Sequence, residues 1–137
     1  MSAQENEFEL ELKVRDYEVD LQGIVNNAVY QHYLEHARHE FLISRSIDFA
    51  ELHAQGTDLI VARIEIDYKF PLKSRDRFKV TLRVKKEGPL KVVFEQTIFR
   101  LPDNKMIIQA KVTGICLKDG HPVRPEDILA ISSLGLQ

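Results

Sequence analysis

A carboxylate and a glycine stand directly before a long segment of helical periodicity, within residues 20–27. The first backbone N–H groups of a helix have no partner inside the helix, and the aligned peptide dipoles make that end partly positive. An oxyanion that forms on a carbonyl under attack would be stabilised there. A carboxylate alongside could attack the carbonyl carbon, or take a proton from a water molecule that attacks it. Asp20 and the helix start are therefore candidate catalytic groups.

Asp20 and Gly23 also have a plain structural interpretation. Acidic residues are common before helices because they offset the helix dipole, and Asp-x-x-Gly is an ordinary turn sequence. The spacing of the residues by itself leaves both interpretations open.

Other kinds of catalytic site have little basis in this sequence. His32 and His36 share one helical face, but no third ligand motif lies nearby, so no metal site is predicted. Cys116 falls in a predicted buried strand. No serine or cysteine occupies a nucleophile elbow, which argues against a Ser/Cys–His–Asp enzyme.

A strand, a loop and a helix must position the candidate carboxylate. Apolar and charged residues alternate over residues 8–14, which predicts a half-buried strand. Acidic residues and a glycine within residues 16–23 predict a loop. Asn26 and Asn27 then precede a helical pattern from residue 28 to about 45, and asparagine is a favoured N-cap.

Four further strands follow, because alternating apolar residues recur between turn signals rich in glycine, proline and aspartate. They are predicted over residues 58–70, 78–84, 90–99 and 106–117. A short helix over residues 48–54, capped by Asp48 and stopped by Gly56, is also predicted. Pro125 begins a short terminal helix in this interpretation.

The order of these elements predicts an α+β fold in which a curved, largely antiparallel sheet wraps around one long central helix. The helix carries apolar residues at several positions around its circumference, so we expect it to be covered on more than one side. A chain of 137 residues with 44% hydrophobic content fits a single domain. We expect that domain to span residues 1–137, with its core at about 7–120.

The balance of charge excludes some classes of partner. The formal charge of −2 comes from 19 basic and 21 acidic residues scattered along the chain, so no strong field favours nucleic acid.

The N-terminus lacks a signal-peptide pattern, and no apolar run approaches about 18 residues, so membrane insertion is not expected. A single cysteine excludes an intramolecular disulfide and suits a reducing compartment, so we expect a cytoplasmic protein.

A wider pattern runs through the strand, loop and helix and continues downstream. It comprises residues 14–20, 23–30, 33–38, 64–72 and 76–78. This pattern strongly resembles the 4-hydroxybenzoyl-CoA thioesterase-like branch of the hotdog superfamily, and the resemblance covers essentially the whole chain. The first of these segments, together with Asn26 and Asn27, also resembles the acyl-acyl carrier protein thioesterases of plastids and their bacterial relatives.

The resemblance implies a hotdog-fold enzyme that hydrolyses an acyl-CoA or acyl-acyl carrier protein thioester and needs no metal or redox cofactor. It implies that Asp20 is the nucleophile or general base. The backbone N–H of Asn27 would polarise the thioester carbonyl. Gly23 would let the backbone approach the substrate closely, because it lacks a Cβ atom.

Glu35 is a second candidate for the catalytic base. Some hotdog thioesterases use a glutamate on the helix instead of the aspartate in the loop. The other interpretation is an ion pair with Arg38 or His39, three or four residues further along the helix.

Four residues are candidates for contact with the substrate. The rings of Tyr17 and Tyr30 could line an acyl pocket, although tyrosines beside a core helix more often serve in packing. Lys69 and Arg75 belong to a local cluster of positive charge that could meet the phosphates of CoA. Solvated strand ends explain the same two residues.

Family members assemble as dimers and often as tetramers, with active sites at the subunit interface. The resemblance therefore implies a homodimer or homotetramer in which a partner chain completes each site. A non-catalytic module that binds acyl-CoA or acyl carrier protein is the rival interpretation, because fold does not fix function. A hotdog dehydratase would need an aspartate–histidine arrangement that has no match in this sequence. Nothing in the sequence distinguishes short, long and aromatic acyl groups, or CoA from a carrier protein.

Overall fold

The computed structural model describes residues 7–136, which form one antiparallel sheet curved around a long helix. In chain order the elements are β1 (Glu7–Lys13), a 3₁₀ turn (Asp16–Glu18), α1 (Asn27–Ser44), α2 (Phe49–Ala54), β2 (Thr57–Tyr68), β3 (Arg77–Glu87), β4 (Lys91–Leu101), β5 (Lys105–Lys118), β6 (His121–Val123), a second 3₁₀ turn (Pro125–Asp127) and α3 (Leu129–Ser132). The predicted α+β fold is confirmed. None of the helices in this described part of the chain has the length and apolar character needed to cross a membrane.

The strands lie in the order β1-β3-β4-β5-β2, and β6 pairs with β5. Every neighbouring pair is antiparallel. Strands β3, β4 and β5 follow one another as hairpins, as the turn signals predicted. Strand β2 does not pair with β3, although β3 follows it in the chain, because residues 69–76 carry the chain away from the β2 edge. Strand β2 is therefore an edge strand, with β5 as its neighbour.

Helix α1 begins at Asn27, because the side-chain oxygen of Asn26 accepts a hydrogen bond from Ala28 N–H at 2.9 Å. The buried residues of α1 are Tyr30, Tyr33, Leu34, Ala37, Arg38, Phe41 and Leu42. The opposite side, which includes Gln31 and Glu35, is exposed in the single chain. The expectation of cover on more than one side is thus wrong for a single chain, since the large apolar residues share one stripe.

Strand β2 differs from the half-buried strand that its alternation predicted. Ile60 is 45% exposed and Val61 is 48% exposed, and most residues of the strand are accessible on both faces. The register with β5 shifts between Val61 and Arg63, and an irregularity of this kind interrupts the alternation of faces. The edge position leaves the strand with cover from one side only, so its apolar side chains stay accessible in the single chain.

The core consists of two clusters beneath the two halves of α1. Tyr33, Phe78 and Ile98 belong to the first cluster. Phe41 and Phe94 belong to the second cluster. Because both clusters use one stripe of α1, the sheet fixes the position of the whole helix, including the end that carries the candidate site.

The C-terminal segment packs on the second cluster. Pro125 begins a 3₁₀ turn, and α3 follows it directly. Ile128, Ile131 and Leu134 are buried there. The packed core therefore extends beyond residue 120.

The outer face of the sheet carries paired charges, as the alternation of Glu and Lys near the N-terminus predicted. Ion pairs connect neighbouring strands, among them Glu11–Arg77, Glu7–Arg83 and Lys85–Glu95. The pair Glu87–Lys111 reaches across β4, from β3 to β5. Exposed pairs of this kind contribute only about 0–1 kcal/mol each. They keep this face hydrated, and the free energy of folding comes mainly from the two buried clusters.

Replacing Phe41 by alanine should destabilise the protein by about 3–5 kcal/mol, because the ring is fully buried and its removal leaves a cavity. The ring also contacts Phe8 edge to face, with centroids 5.9 Å apart. Urea unfolding followed by circular dichroism would measure the loss. Ile43→Ala is the matched control on the exposed side of α1 and should change stability by less than about 0.5 kcal/mol. Equal losses in the two variants would contradict this account of the core.

Candidate active site

The loop between β1 and α1 is closed by its own backbone hydrogen bonds. Asp20 N–H donates to the Ile24 carbonyl at 2.9 Å, and Gly23 N–H donates to the Asp20 carbonyl at 3.0 Å. Gly23 has a φ of +78°, a conformation that side chains disfavour, while a Cβ atom there would meet no neighbour within 4 Å. The predicted turn is confirmed, and Gly23 is required by its dihedral angle rather than by lack of space. Close approach of a substrate to Gly23 stays a prediction.

This loop is attached to the segment of residues 69–76. Val25 N–H donates to the Leu72 carbonyl at 2.9 Å, and Leu72 N–H donates to the hydroxyl oxygen of Tyr30 at 2.9 Å. Ile24 forms an isolated antiparallel bridge with Lys73. The loop, the first turn of α1 and residues 69–76 are therefore fixed relative to one another.

The carboxylate of Asp20 is half-buried and is held by its neighbour Gln22. The Gln22 backbone N–H donates to Asp20 Oδ1 at 2.9 Å. The Gln22 side-chain nitrogen, assigned to the position that satisfies its hydrogen bonds, donates to Oδ1 at 3.0 Å and to Oδ2 at 3.1 Å. Sequence analysis missed Gln22. The spacing of two residues after an aspartate is the signal for such a turn, but it does not reveal the side-chain contact.

The start of α1 offers a backbone donor beside this loop. The Asn26 side chain accepts from Ala28 N–H, and the Asn26 carbonyl accepts from Val29 N–H at 2.9 Å. Asn27 N–H has no acceptor among the described residues. Asn27 therefore presents an unused N–H at the partly positive end of an 18-residue helix, which is what a developing oxyanion needs.

The two candidate tyrosines have different environments. Tyr30 is buried, its ring contacts those of Tyr33 and Tyr68 edge to face, and burial raises the pKa of its hydroxyl. This supports the packing interpretation of Tyr30. Tyr17 is 78% exposed, and Arg15 donates to its hydroxyl oxygen at 3.1 Å. The packing interpretation is wrong for Tyr17, because the 3₁₀ turn directs its ring into solvent.

Glu35 is exposed on α1, eight residues after Asn27 and therefore about 12 Å along the helix axis. The described residues give it no ion pair within 4 Å, so the pair predicted with Arg38 or His39 is not formed. All three residues instead line one pocket between α1 and β2. The structure thus separates Glu35 from the Asp20 loop by two turns of helix.

Two exposed cations lie on the segment that carries the loop. Arg75 Nε is 3.7 Å from Asp16 Oδ1, and Arg75 N–H donates to the Val14 carbonyl at 3.1 Å. Lys69 N–H donates to the Ile107 carbonyl at 2.8 Å, and its side chain is exposed beside the end of β2. Contact of these two side chains with a substrate stays a prediction.

A cysteine nucleophile and a metal cluster both lack a suitable site in the described residues. Cys116 is fully buried, and burial raises the pKa of its thiol to about 11. Residues 7–136 contain no group of three His, Cys, Asp or Glu side chains that could hold a metal ion. The groups that remain as candidates for chemistry are the Asp20 carboxylate and the N-terminus of α1.

Comparison with known proteins places these features in a family. The family model described as the thioesterase-like superfamily matches residues 14–130. The acyl-acyl carrier protein thioesterase ATL2 of Arabidopsis thaliana is 44% identical over 113 residues, which are 82% of this chain and 60% of that protein. This chain thus spans about three fifths of the length of its plant relative.

Bacterial proteins match over more of their length. The long-chain acyl-CoA thioesterase FadM of Escherichia coli is 28% identical over 110 residues, 80% of this chain and 83% of that protein. The crystal structure of a DHNA-CoA thioesterase from Staphylococcus aureus superposes with a TM-score of 0.82 at 22% identity, covering 94% of this chain and 91% of that one. The likeness to the staphylococcal structure confirms the hotdog fold.

Cys116 should resist iodoacetamide at pH 8 in the folded protein and react once urea unfolds it. Alkylation needs the thiolate, and a pKa of about 11 keeps the buried thiol protonated at pH 8. Mass spectrometry of the intact protein would count the added groups. Ala54→Cys, which places a second thiol on the exposed end of α2, should add one group in the folded state. Labelling of Cys116 at the rate of this exposed thiol would contradict its burial.

Proposed function

Because this chain belongs to the thioesterase-like superfamily, we propose that it hydrolyses an acyl thioester, carried by CoA or acyl carrier protein, to a free acid and a thiol. The observation that carries the proposal is the oriented carboxylate of Asp20 in the loop that leads into α1, together with the unused backbone N–H of Asn27 at the first residue of that helix. One group attacks or activates water, and the other stabilises the charge that develops on the carbonyl oxygen.

Asp20 acts in one of two ways. As a nucleophile, its oxygen bonds to the thioester carbon, the thiolate leaves, and water then hydrolyses the resulting anhydride. As a general base, it takes a proton from the water that attacks the same carbon. Gln22 holds the carboxylate in place in either case, so Gln22 is a positioning residue.

The Asn27 N–H supplies the stabilisation of the oxyanion. Removing a single donor of this kind typically costs about 2.7–4 kcal/mol of transition-state stabilisation. The donor is part of the backbone and is fixed by the Asn26 cap, so its direction does not depend on the exposed Asn27 side chain. Neither step requires a metal or a redox cofactor.

The carrier is recognised at the surface around the site. Lys69 and Arg75 are exposed cations on the segment that holds the loop, and they would meet the phosphates of CoA or of a phosphopantetheine arm. The exposed ring of Tyr17 lies in the 3₁₀ turn next to Asp16, whose Oδ1 is 3.7 Å from Arg75 Nε, and it would contact the arm. The names of ATL2 and FadM assign one relative to a carrier protein and the other to CoA, so relatives support both carriers.

A second copy of the chain completes the site. Strand β2 offers an unpaired backbone edge with the exposed apolar residues Ile60, Val61 and Ile64, and edges of this kind readily pair with another chain. The exposed side of α1 is close to this strand, because Glu35 and Arg38 of the helix line a pocket together with residues of β2. Pairing through β2 would cover both surfaces and make a homodimer, which can associate further into a homotetramer.

A reducing, cytoplasmic setting fits the proposed chemistry. The lone Cys116 is buried and forms no disulfide within the chain. Hydrolysis of the thioester releases a free thiol, and a reducing compartment is compatible with that product. We therefore propose cytoplasmic action for this domain.

Asp20→Asn should lower thiol release from acyl-CoA or acyl carrier protein substrates by roughly 10²–10⁴-fold, because asparagine neither attacks nor accepts a proton. The assay would cover short, long and aromatic acyl groups. Gln22→Ala should lower kcat by a smaller factor, with little change in KM. Asp127→Asn, an exposed carboxylate on the second 3₁₀ turn, is the control and should keep full activity. A wild type that binds thioesters tightly without turnover would favour the non-catalytic binding module.

Ile64→Lys should shift the protein from dimer towards monomer, because the charge enters an interface that β2 would bury. Analytical ultracentrifugation over a range of concentrations would measure the dissociation constant. Leu129→Lys replaces an exposed leucine on α3, away from β2, and should leave the constant unchanged. A wild type that is monomeric at all concentrations tested would overturn the proposed assembly.

A further inference from the structure

A pocket of about 150 Å³ lies between α1, α2 and the strands β2 and β5. Leu42, Phe49 and Phe94 form part of its apolar lining. A cavity of roughly this volume is large enough for a benzene-sized group. One wall is different, because it includes the charged residue Arg38.

Arg38 is only 8% exposed, and no carboxylate among the described residues lies within 4 Å of it. The nearby charge of Glu35 acts on Arg38 at longer range and without a direct hydrogen bond. The single hydrogen bond of Arg38 among the described residues runs from Nη1 to Gln96 Oε1 at 3.1 Å. A guanidinium has five N–H donors, so most of them are unused. Burial lowers the pKa of Arg38, although arginine stays protonated in proteins. A buried cation in this state is costly unless an acceptor reaches it.

Gln96 fixes the direction in which the guanidinium points. Its side chain is 1% exposed, and Nε2 donates to the Leu34 carbonyl at 2.9 Å. With the nitrogen used in this way, the amide oxygen must face Arg38. The sheet therefore holds the cation in one place, and its remaining donors have no partner among the described residues next to the pocket that Arg38 lines.

The pocket lies at a defined distance from the candidate catalytic groups. Arg38 is eleven residues beyond Asn27, about 17 Å along the axis of α1. Side chains on a helix lean towards its N-terminus, which shortens this distance. Carbon–carbon bonds of about 1.5 Å advance an extended chain by roughly 1.25 Å per carbon, so about 10–13 carbons span the gap.

We propose that this pocket receives the far end of the acyl chain and that Arg38 donates hydrogen bonds to an oxygen carried there. The preferred substrates are then medium-length acyl thioesters that bear an acceptor oxygen at or near the end opposite the thioester. This inference rests on the proposed thioesterase function and specifies its substrate class. Glu35 and His39 line the same pocket, and Arg38 is the only lysine or arginine among the described residues that line it.

The test compares kcat/KM for 12-hydroxydodecanoyl-CoA and dodecanoyl-CoA. A hydrogen bond to a charged donor predicts that the wild type favours the hydroxylated substrate by roughly tenfold or more. Arg38→Met, which keeps the apolar stem and removes the donors, should bring the ratio close to one. Arg83→Met makes the same change on the outer face of the sheet and should keep the wild-type ratio.

A second variant covers the case in which Arg38→Met does not fold. Gln96→Met removes the hydrogen bond that orients the guanidinium and leaves its charge, so the preference should fall without vanishing. Equal kcat/KM values for the two substrates in the wild type would overturn the proposal. So would a preference that survives Arg38→Met in a folded protein.

Binding separates this inference from the function on which it rests. Calorimetric titration of Asp20→Asn with the two CoA thioesters should show the same preference, since this variant removes chemistry and leaves the pocket. Preferential binding with no turnover by the wild type would overturn the thioesterase function and keep the pocket assignment. Equal binding, together with dissociation of the dimer in Arg38→Met, would place the acceptor on the second copy and overturn the assignment.

Discussion

The peptide of Leu72 is the point at which the candidate site is attached to the rest of the molecule. Its carbonyl accepts from Val25 N–H in the loop, and its N–H donates to Tyr30 in the first turns of α1. Leu72 itself is fully buried. Loop and helix can therefore move relative to each other only if hydrogen bonds in the core are broken. The geometry between Asp20 and Asn27 depends on this attachment more than on any contact between the two residues.

Local signals predicted much of the fold and part of the site. Asn26 and Asp48 cap the helices that their positions indicated, and Gly23 has the positive φ of the expected turn. These features depend on a few neighbouring residues. The edge position of β2 could not be predicted, because strand pairing over tens of residues decides it. Gln22 was missed for another reason, since its role depends on the orientation of a side chain.

The buried pair of Arg38 and Gln96 shows a further limit of pattern analysis. Sequence patterns predict that arginine and glutamine side chains are exposed to solvent. Here the side chains of Arg38 on α1 and Gln96 on β4 are both buried. Gln96 is satisfied on both sides of its amide, by Leu34 and by Arg38. Replacing such a pair by well-packed apolar residues is often neutral or stabilising, so a role in binding is the hypothesis that the proposed pocket adds. The polar pair belongs with the pocket it faces rather than with the packing around it.

The two edges of the sheet are chemically unlike. Strand β1 ends the sheet with Glu7, Glu9 and Glu11, and charge of this kind deters pairing with another strand. Strand β2 ends it with accessible isoleucine and valine. A sheet with one receptive edge can join one other copy about a two-fold axis, and growth then stops because only the charged edges remain. In the proposed dimer, this asymmetry would favour a closed assembly over a growing fibril, although each chain has a long exposed edge strand.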